Sequence, residues 1–252
     1  LGQRRHGGRR DRPGCMPMNA RERIAAVVAL QKPDRVPVAP LLDHYAATYS
    51  GYTNAEIMMD GNKRIKAVIK TATELGPWDM TFLADTANAT LLQIGVAIPI
   101  KLPGRDLPVN STHQFQETEF LTPDDYELLE HKGVVAFMMD VTGRLNPAWK
   151  GIRVFAPLLK TAWEYRRHAK MVSATGMEVA AGFIHPGVLY EYFSLGRGIT
   201  AMSADTFRRR NEIKSAGKVW AKGMADLAIM SARINGVLRV FVGMSRASSD
   251  FI

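Results

Sequence analysis

The segment KPDRVPVAPLL at residues 32–42 joins a charged turn to a short apolar run. Its apolar part, VPVAPLL at 36–42, has the length and composition of a buried strand. A helix precedes the turn, because Asn19 and Glu22 have the spacing of a capping box and Pro33 ends the helical pattern. The sequence therefore predicts a helix, a turn and a strand at the start of the ordered chain.

Further along the chain, three more apolar runs have the character of buried strands. They are MTFLA (80–84), VAAGFI (179–184) and VLRVFVG (237–243). Each of the four predicted strands is bounded by turn-forming or polar residues.

Helical patterns separate these strands, most clearly over residues 55–75, 157–174 and 207–234. An alternating section over 96–120 predicts a hairpin insertion. Strands that alternate with helices imply parallel pairing, so the sequence predicts an α/β fold. Four such strands are half of a (β/α)8 TIM barrel, and we expect about the first four βα units of that barrel in this chain.

The first 17 residues, LGQRRHGGRRDRPGCMP, contain five arginines and one aspartate, and they carry much of the chain's net charge of +9. We interpret residues 1–17 as a disordered basic leader and residues 19–252 as the domain. Elsewhere the two signs of charge are interspersed, so no nucleic-acid partner is predicted. Cys15 is the only cysteine, which excludes an internal disulfide and favours a cytoplasmic protein. No run approaches the ~18 apolar residues of a membrane span, so no membrane partner is predicted.

Polar residues follow each predicted strand at its carboxyl end, where barrel enzymes place their active sites. They are Asp43 and His44 after the first strand, Asp85 after the second, His185 after the third, and Ser245 and Arg246 after the fourth. We therefore take these strand ends as candidate binding positions for a substrate.

Four segments of the chain carry a family resemblance. They are NARERIAAVVALQKPDRVPV (19–38), FLADT with LLQIGVAI (82–98), GFIHPGVLYEY (182–192) and GMSRASSDFI (243–252). In this order and spacing they resemble the uroporphyrinogen decarboxylase superfamily, including its corrinoid-dependent methyltransferase branch. The resemblance extends over residues 19–252 and implies the N-terminal portion of a TIM barrel.

The resemblance also implies roles for individual side chains. Asp85 falls on the aspartate that faces the pyrrole NH groups of the decarboxylase's substrate, where a carboxylate accepts several hydrogen bonds. Tyr192 falls on a tyrosine near the substrate, so Asp85 and Tyr192 are the predicted catalytic residues. The predicted substrate-binding residues are Asp43, His44, His185, Ser245 and Arg246.

One departure from the family decides between its branches. The decarboxylases carry the motif M-R-Q-A-G-R after the first strand, whereas the corresponding segment here is PLLDHYAATYSGY (40–52), without arginine. A porphyrinogen with many carboxylates needs fixed cations, and arginine suits carboxylates best. Arg197, Arg246 and Lys101 are the cations that could take over that role. We therefore favour methyl transfer between a corrinoid and a small molecule. Two alternatives stay open: a divergent uroporphyrinogen decarboxylase of tetrapyrrole biosynthesis, and a truncated, non-catalytic fragment.

Cofactors and partners follow from the same resemblance. In the methyltransferase branch an H-x-C motif and a distant cysteine bind zinc, and these ligands would lie beyond Ile252. The six histidines of this chain have neither H-x-H nor H-x3-H spacing, so no metal site is predicted within it. Zinc and a corrinoid are expected only in a full-length protein, with a small molecule or tetrapyrrole as substrate and a corrinoid protein as partner. Half a barrel leaves open strand edges, so we expect an inactive fragment that forms a homodimer or aggregates.

Overall fold

The computed structural model describes residues 17–83, 87–244 and 246, and in this part the chain is an α/β structure rich in helix. The first half contains helices α1 (Ala20–Val28), α2 (Asp43–Ser50), α3 (Asn54–Met59), α4 (Gly61–Leu75) and α5 (Ala89–Gly95), with strands β1 (Met80–Thr81), β2 (Ile100–Lys101) and β3 (Gln114–Phe115). The second half contains α6 (Asp124–Leu145), α7 (Phe155–Ser173), α8 (Leu189–Arg197), α9 (Ile199–Arg208) and α10 (Arg210–Asn235), with β4 (Glu178–Val179), β5 (Phe183–His185) and β6 (Val240–Val242). Two short 3-10 turns, Pro147–Trp149 and Gly151–Val154, connect α6 to α7.

Helix α1 begins as the sequence predicts. Asn19 Oδ1 accepts a hydrogen bond from the Glu22 backbone N–H at 2.9 Å, and the Glu22 carboxylate accepts one from Asn19 N–H at 2.9 Å. This reciprocal capping box satisfies two backbone donors that a helix leaves open at its start.

The helix predicted over residues 55–75 divides into α3 and α4 at Asp60. The Asp60 carboxylate accepts hydrogen bonds from the backbone N–H groups of Asn62 and Lys63, at 2.8 and 3.2 Å. Asp60 therefore caps a new helix rather than continuing the previous one.

The prediction of a buried strand over residues 36–42 is wrong. The segment forms no regular strand, and Val36, Val38 and Leu41 are exposed. Pro37 and Pro40 carry no N–H group, so a continuous ladder cannot form. The segment still lies beside β1, because Val38 O accepts hydrogen bonds from the N–H groups just before and at the start of β1, at 3.0 and 3.1 Å.

The other predicted strands form short parallel pairs. β1 pairs with β4, in the register Met80 to Glu178, and β5 pairs with β6, in the register Phe183 to Val240. The run predicted as one strand over 179–184 is thus divided: its first part pairs with β1 and its second part with β6. Backbone bonds from Ala180 N to Thr81 O and from Gly182 N to Arg239 O continue the pairing between the two parts.

Gly182 allows the close approach of these chains. A Cβ atom at this position would lie 2.0 Å from Val237 O, a distance that no side chain tolerates. The absence of a side chain at residue 182 therefore lets the backbone before β6 lie directly against the backbone before β5.

The predicted hairpin is confirmed, since β2 and β3 pair antiparallel. Two hydrophobic clusters stabilise the structure. One lies among α2, α3, α4, α7 and β4, and the other among α6, α8, α9 and α10. Among the described residues, no helix is both long enough and apolar enough to cross a lipid bilayer.

A network of buried ion pairs fixes the start of the sheet. Asp79 is 1% exposed and accepts hydrogen bonds from Arg23, from Arg35 at 2.6 and 2.9 Å, and from Val38 N–H at 2.9 Å. Arg23 is also bound to Asp34, at 2.6 and 2.8 Å. The charged turn of residues 32–35 therefore anchors both α1 and the segment beside β1.

The charge on Asp79 is stabilised by these partners. Burial opposes ionisation, but the hydrogen bonds from Val38, Arg35 and Arg23 hold the pKa of the Asp79 carboxyl below its usual value. The network is therefore fully charged at neutral pH.

Candidate functional site

Of the predicted site positions, His185 and Arg246 lie at or after the carboxyl ends of the parallel strands β5 and β6. Asp43 and His44 begin α2 after the segment beside β1, and Arg246 follows β6. His185 is the last residue of β5, but its side chain lies outside the described part. Asp85 and Ser245 also lie outside the described residues, so their predicted roles stay predictions.

One segment of the hairpin contacts two of the predicted site residues, His44 and Arg246. His44 contacts His113, just before β3, and Arg246 donates to Glu117 Oε1 at 3.2 Å, two residues after β3. Residues 113–117 therefore connect the position after the first predicted strand with the position after the fourth. No sequence motif indicates a functional role for His113 or Glu117.

His44 and His113 form a close pair of imidazole rings. His44 Nε2 lies 3.3 Å from His113 Nδ1, and the ring centroids are 5.5 Å apart. Phe115 packs edge-on against His113 at 5.3 Å and restricts the orientation of that ring. Both histidines are half-buried, so the pair is reachable from solvent.

The surroundings of this pair favour neutral rings. Burial lowers the pKa of His44, although the side chain of Asn54 and the charge of Asp43 act in the opposite direction. Burial, with a smaller contribution from His44, also lowers the pKa of His113. Both imidazoles are therefore neutral at pH 7 and keep a lone pair on one nitrogen each.

Asn54 connects His44 to the loop that carries His113. Its amide nitrogen donates to Asn110 O at 2.9 Å and to Ser111 O at 3.2 Å, which fixes which end of the amide is the oxygen. Asn54 is buried, and neither its Oδ1 atom nor His44 Nδ1 has a hydrogen bond of good geometry in the described part of the chain. Two buried polar atoms at the histidine pair, Asn54 Oδ1 and His44 Nδ1, therefore lack, within the described ranges, the hydrogen bonds that such atoms usually form.

Backbone strain occurs at the same position. Asp43 has a φ angle of +35°, which is unfavourable for a residue with a side chain. Strained backbone of this kind concentrates at functional sites, where surrounding structure holds it in place.

Arg246 is held by three separate groups. Its guanidinium donates to Ser194 O at 3.1 Å and to Glu117, and its backbone N–H donates to the carboxylate of Glu191. Ser194 and Glu191 belong to α8, so the residue after β6 is bound to the helix after β5. Gly187, at the start of that connection, has φ +91° and lies so close to Gly243 O that a Cβ would approach it to 2.8 Å. The two strand ends are thereby packed together.

Tyr192 does not reach this site in the described structure. It is fully buried, and its ring lies 4.8 Å from Trp220 and 6.2 Å from Phe137. Burial raises the pKa of the Tyr192 hydroxyl well above its usual value, and this hydroxyl has no hydrogen-bond partner among the described residues. The structure places Tyr192 in the core between α8, α6 and α10.

The basic residues considered as carboxylate ligands have other partners or other positions. Arg197 is buried and donates to Asp205 at 2.9 Å and to Leu121 O at 3.0 Å. Lys101 lines a cavity of about 300 Å³ under the hairpin, together with Arg105, which is paired with Asp106. Arg197 is thus paired within the core, whereas Lys101 lies on β2 opposite Gln114, the residue after His113.

In the part of the chain that the structure describes, no three His, Cys, Asp or Glu side chains come together to hold a metal ion. Comparison with models of known families, with curated proteins and with solved structures finds no match to this chain. The functional assignment therefore rests on the residues and their geometry.

Proposed function

We propose that this chain is the N-terminal portion of a (β/α) TIM barrel of the uroporphyrinogen decarboxylase superfamily, and that it acts in methyl transfer between a corrinoid and a small molecule. Support for the barrel comes from the order of pairing. The segment at Val38 lies beside β1, β1 pairs with β4, and β5 pairs with β6. The parallel pairs β1–β4 and β5–β6 each join strands that helices separate along the chain, as in the βα units of a (β/α) barrel.

The choice of reaction rests on whether arginines are present and free to bind the carboxylates of a substrate. Residues 40–52 contain none, the guanidinium of Arg197 is paired with Asp205, and that of Arg246 is bound to Ser194 O and Glu117. A porphyrinogen with its many carboxylates would meet few unpaired cations here. A small, weakly charged substrate suits the polar groups of Asp43, His44 and His113 better.

The described residues contain no group of three His, Cys, Asp or Glu side chains that could bind the zinc of the methyltransferase branch. No ligand for the corrinoid is assigned among them either. We therefore assign no step to either group. The residues at the strand ends bind and orient the small molecule, with His44 and Arg246 at opposite ends of the segment 113–117. The proposal also predicts that two copies of the chain form a homodimer through the exposed strand β6.

A binding comparison tests this function. We expect methylcobalamin to bind at least about tenfold more tightly than uroporphyrinogen, which corresponds to roughly 1.4 kcal/mol. Both ligands are titrated anaerobically against the full-length protein of which this chain is the proposed N-terminal portion, with tryptophan fluorescence as the readout. Arg246→Gln is expected to weaken the binding of methylcobalamin. Lys222→Gln, an exposed change on α10, serves as the control.

Three results would contradict the proposal. They are tighter binding of uroporphyrinogen, release of CO2 from uroporphyrinogen, and failure of both ligands to bind. The first two would favour the decarboxylase, and the third would favour a non-catalytic fragment.

A further inference from the structure

The histidine pair at the start of α2 has a geometry that a metal ion requires. Zinc binds imidazole nitrogen at about 2.0–2.1 Å and prefers tetrahedral coordination, so two of its nitrogen ligands lie roughly 3.4 Å apart. His44 Nε2 and His113 Nδ1 are 3.3 Å apart. The two nitrogens are therefore spaced as neighbouring ligands of one ion, although they are 69 residues apart in sequence.

The second nitrogen of His44 has a suitable outer partner. A metal-bound histidine commonly donates its other N–H to a carbonyl or carboxylate, which fixes the ring and its tautomer. Asn54 interacts with the His44 ring, and Asn54 Oδ1 and His44 Nδ1 both lack a well-formed hydrogen bond among the described residues. A proton on His44 Nδ1 would satisfy both atoms and leave the lone pair of Nε2 for the metal.

The loop that carries His113 is fixed from two sides. Asn54 Nδ2 holds the carbonyls of Asn110 and Ser111, and Phe115 packs on the His113 ring. The buried Asn54 thus fixes the loop that carries His113. The two rings already lie next to each other, which reduces the cost of bringing the ligands together on binding.

We propose that His44 and His113 form a binding site for a divalent transition metal such as Zn²⁺, with Asn54 as the outer-shell partner of His44. Two protein ligands leave the other coordination positions to water or to a donor atom of a small molecule. The half-buried position of both rings gives such a molecule access. This site is separate from the thiol-activating zinc of the methyltransferase branch, and it does not depend on the proposed methyl transfer.

The test measures Zn²⁺ binding to the full chain by calorimetry, and Co²⁺ binding by its visible absorption. The background is His6→Gln with Cys15→Ser, which removes the histidine and the cysteine of the first 17 residues. We expect one equivalent of metal to bind. His113→Gln and His44→Gln should each abolish this binding, and Asn54→Ala should weaken it by about tenfold. His131→Gln is the matched control, because His131 is exposed on α6 and its Nε2 atom lies 3.3 Å from Glu127 Oε1.

Circular dichroism of each variant separates loss of the site from loss of the fold. His113→Gln is the decisive variant, since His113 lies in a loop and not in a helix or strand. Unchanged metal affinity in His113→Gln, or no binding by the parent chain, would overturn the proposal. In that case the two rings share only an N–H···N hydrogen bond. The cobalamin titration is unaffected by either result, so the two proposals can fail independently.

Discussion

Replacing Asp79 by alanine is expected to lower the free energy of unfolding by about 3–5 kcal/mol, the range observed when one partner of a buried ion pair is removed. Asp79 is the common acceptor for Arg23, Arg35 and the Val38 N–H group. Its loss leaves Arg23 partly unpaired in a buried position, with Asp34 as its remaining charged partner among the described residues. Urea denaturation followed by circular dichroism measures the effect.

The pH dependence of stability gives a second readout for Asp79. Its pKa is lower in the folded chain than in the unfolded one, so its stabilising effect is present above the unfolded value of roughly 4 and is lost as pH falls toward the folded value. The difference between wild type and Asp79→Ala should therefore shrink on acidification. Asp226→Ala removes an exposed pair with Lys222 and should change stability by less than about 1 kcal/mol. Equal effects of the two substitutions would refute the structural role of the network.

Trp220→Ala is expected to cost about 3–5 kcal/mol, as for other large-to-small changes of buried aromatic residues. Trp220 is 1% exposed, packs on Tyr192, and donates from Nε1 to Gly187 O at 3.0 Å. The substitution therefore removes core volume and also one anchor of the loop after β5. Thermal unfolding monitored by near-UV circular dichroism provides the measurement.

Phe207→Ala is the matched control for Trp220→Ala. Phe207 is an aromatic residue on α9 that is 78% exposed, so its truncation should change stability by about 0.5 kcal/mol or less. A Trp220→Ala variant as stable as Phe207→Ala would show that α10 does not pack on α8 in the way described.

The sequence was sufficient for features that depend on local chemistry. The capping box of Asn19 and Glu22 and the β2–β3 hairpin follow from side-chain types at short spacing, and both are present. The alternation of apolar strands and helical stripes predicted an α/β structure, which the described residues form. These signals are local, so tertiary context did not change them.

Features that depend on long-range context were not predictable in this way. Pro37 and Pro40 prevent a regular strand in a run whose composition favours one. Helix α2 buries only Ala46 and Ala47, too few apolar residues for a recognisable helical stripe. Tyr192 is in the core because α8 packs on α6 and α10, a contact with no signature at short spacing.

The histidine pair shows the same limit at the candidate site. Motif spacing predicted no metal site, because metal-ligand patterns are recognised within a few residues of each other. His44 and His113 meet only because the hairpin folds back over the start of α2. Asn54 was missed for the same reason, since its role depends on the loop at residues 110–111.

Parallel pairing of strands that helices separate along the chain is the basis of the proposed barrel, and engineered disulfides test it directly. Cys15 is the only cysteine, so a Cys15→Ser background is free of competing thiols. Ile184 and Phe241 are paired residues of β5 and β6, where neighbouring strands place Cα atoms about 4.8 Å apart, within disulfide range. Ile184 and Leu238 are displaced along the strand by roughly 10 Å, beyond that range.

The measurement is the loss of free thiols under mild oxidation, quantified by mass spectrometry. The account predicts that Ile184→Cys with Phe241→Cys forms an intramolecular disulfide and that Ile184→Cys with Leu238→Cys does not. Bond formation in the displaced pair, or in neither pair, would contradict the parallel register from which the candidate site at the strand ends was built.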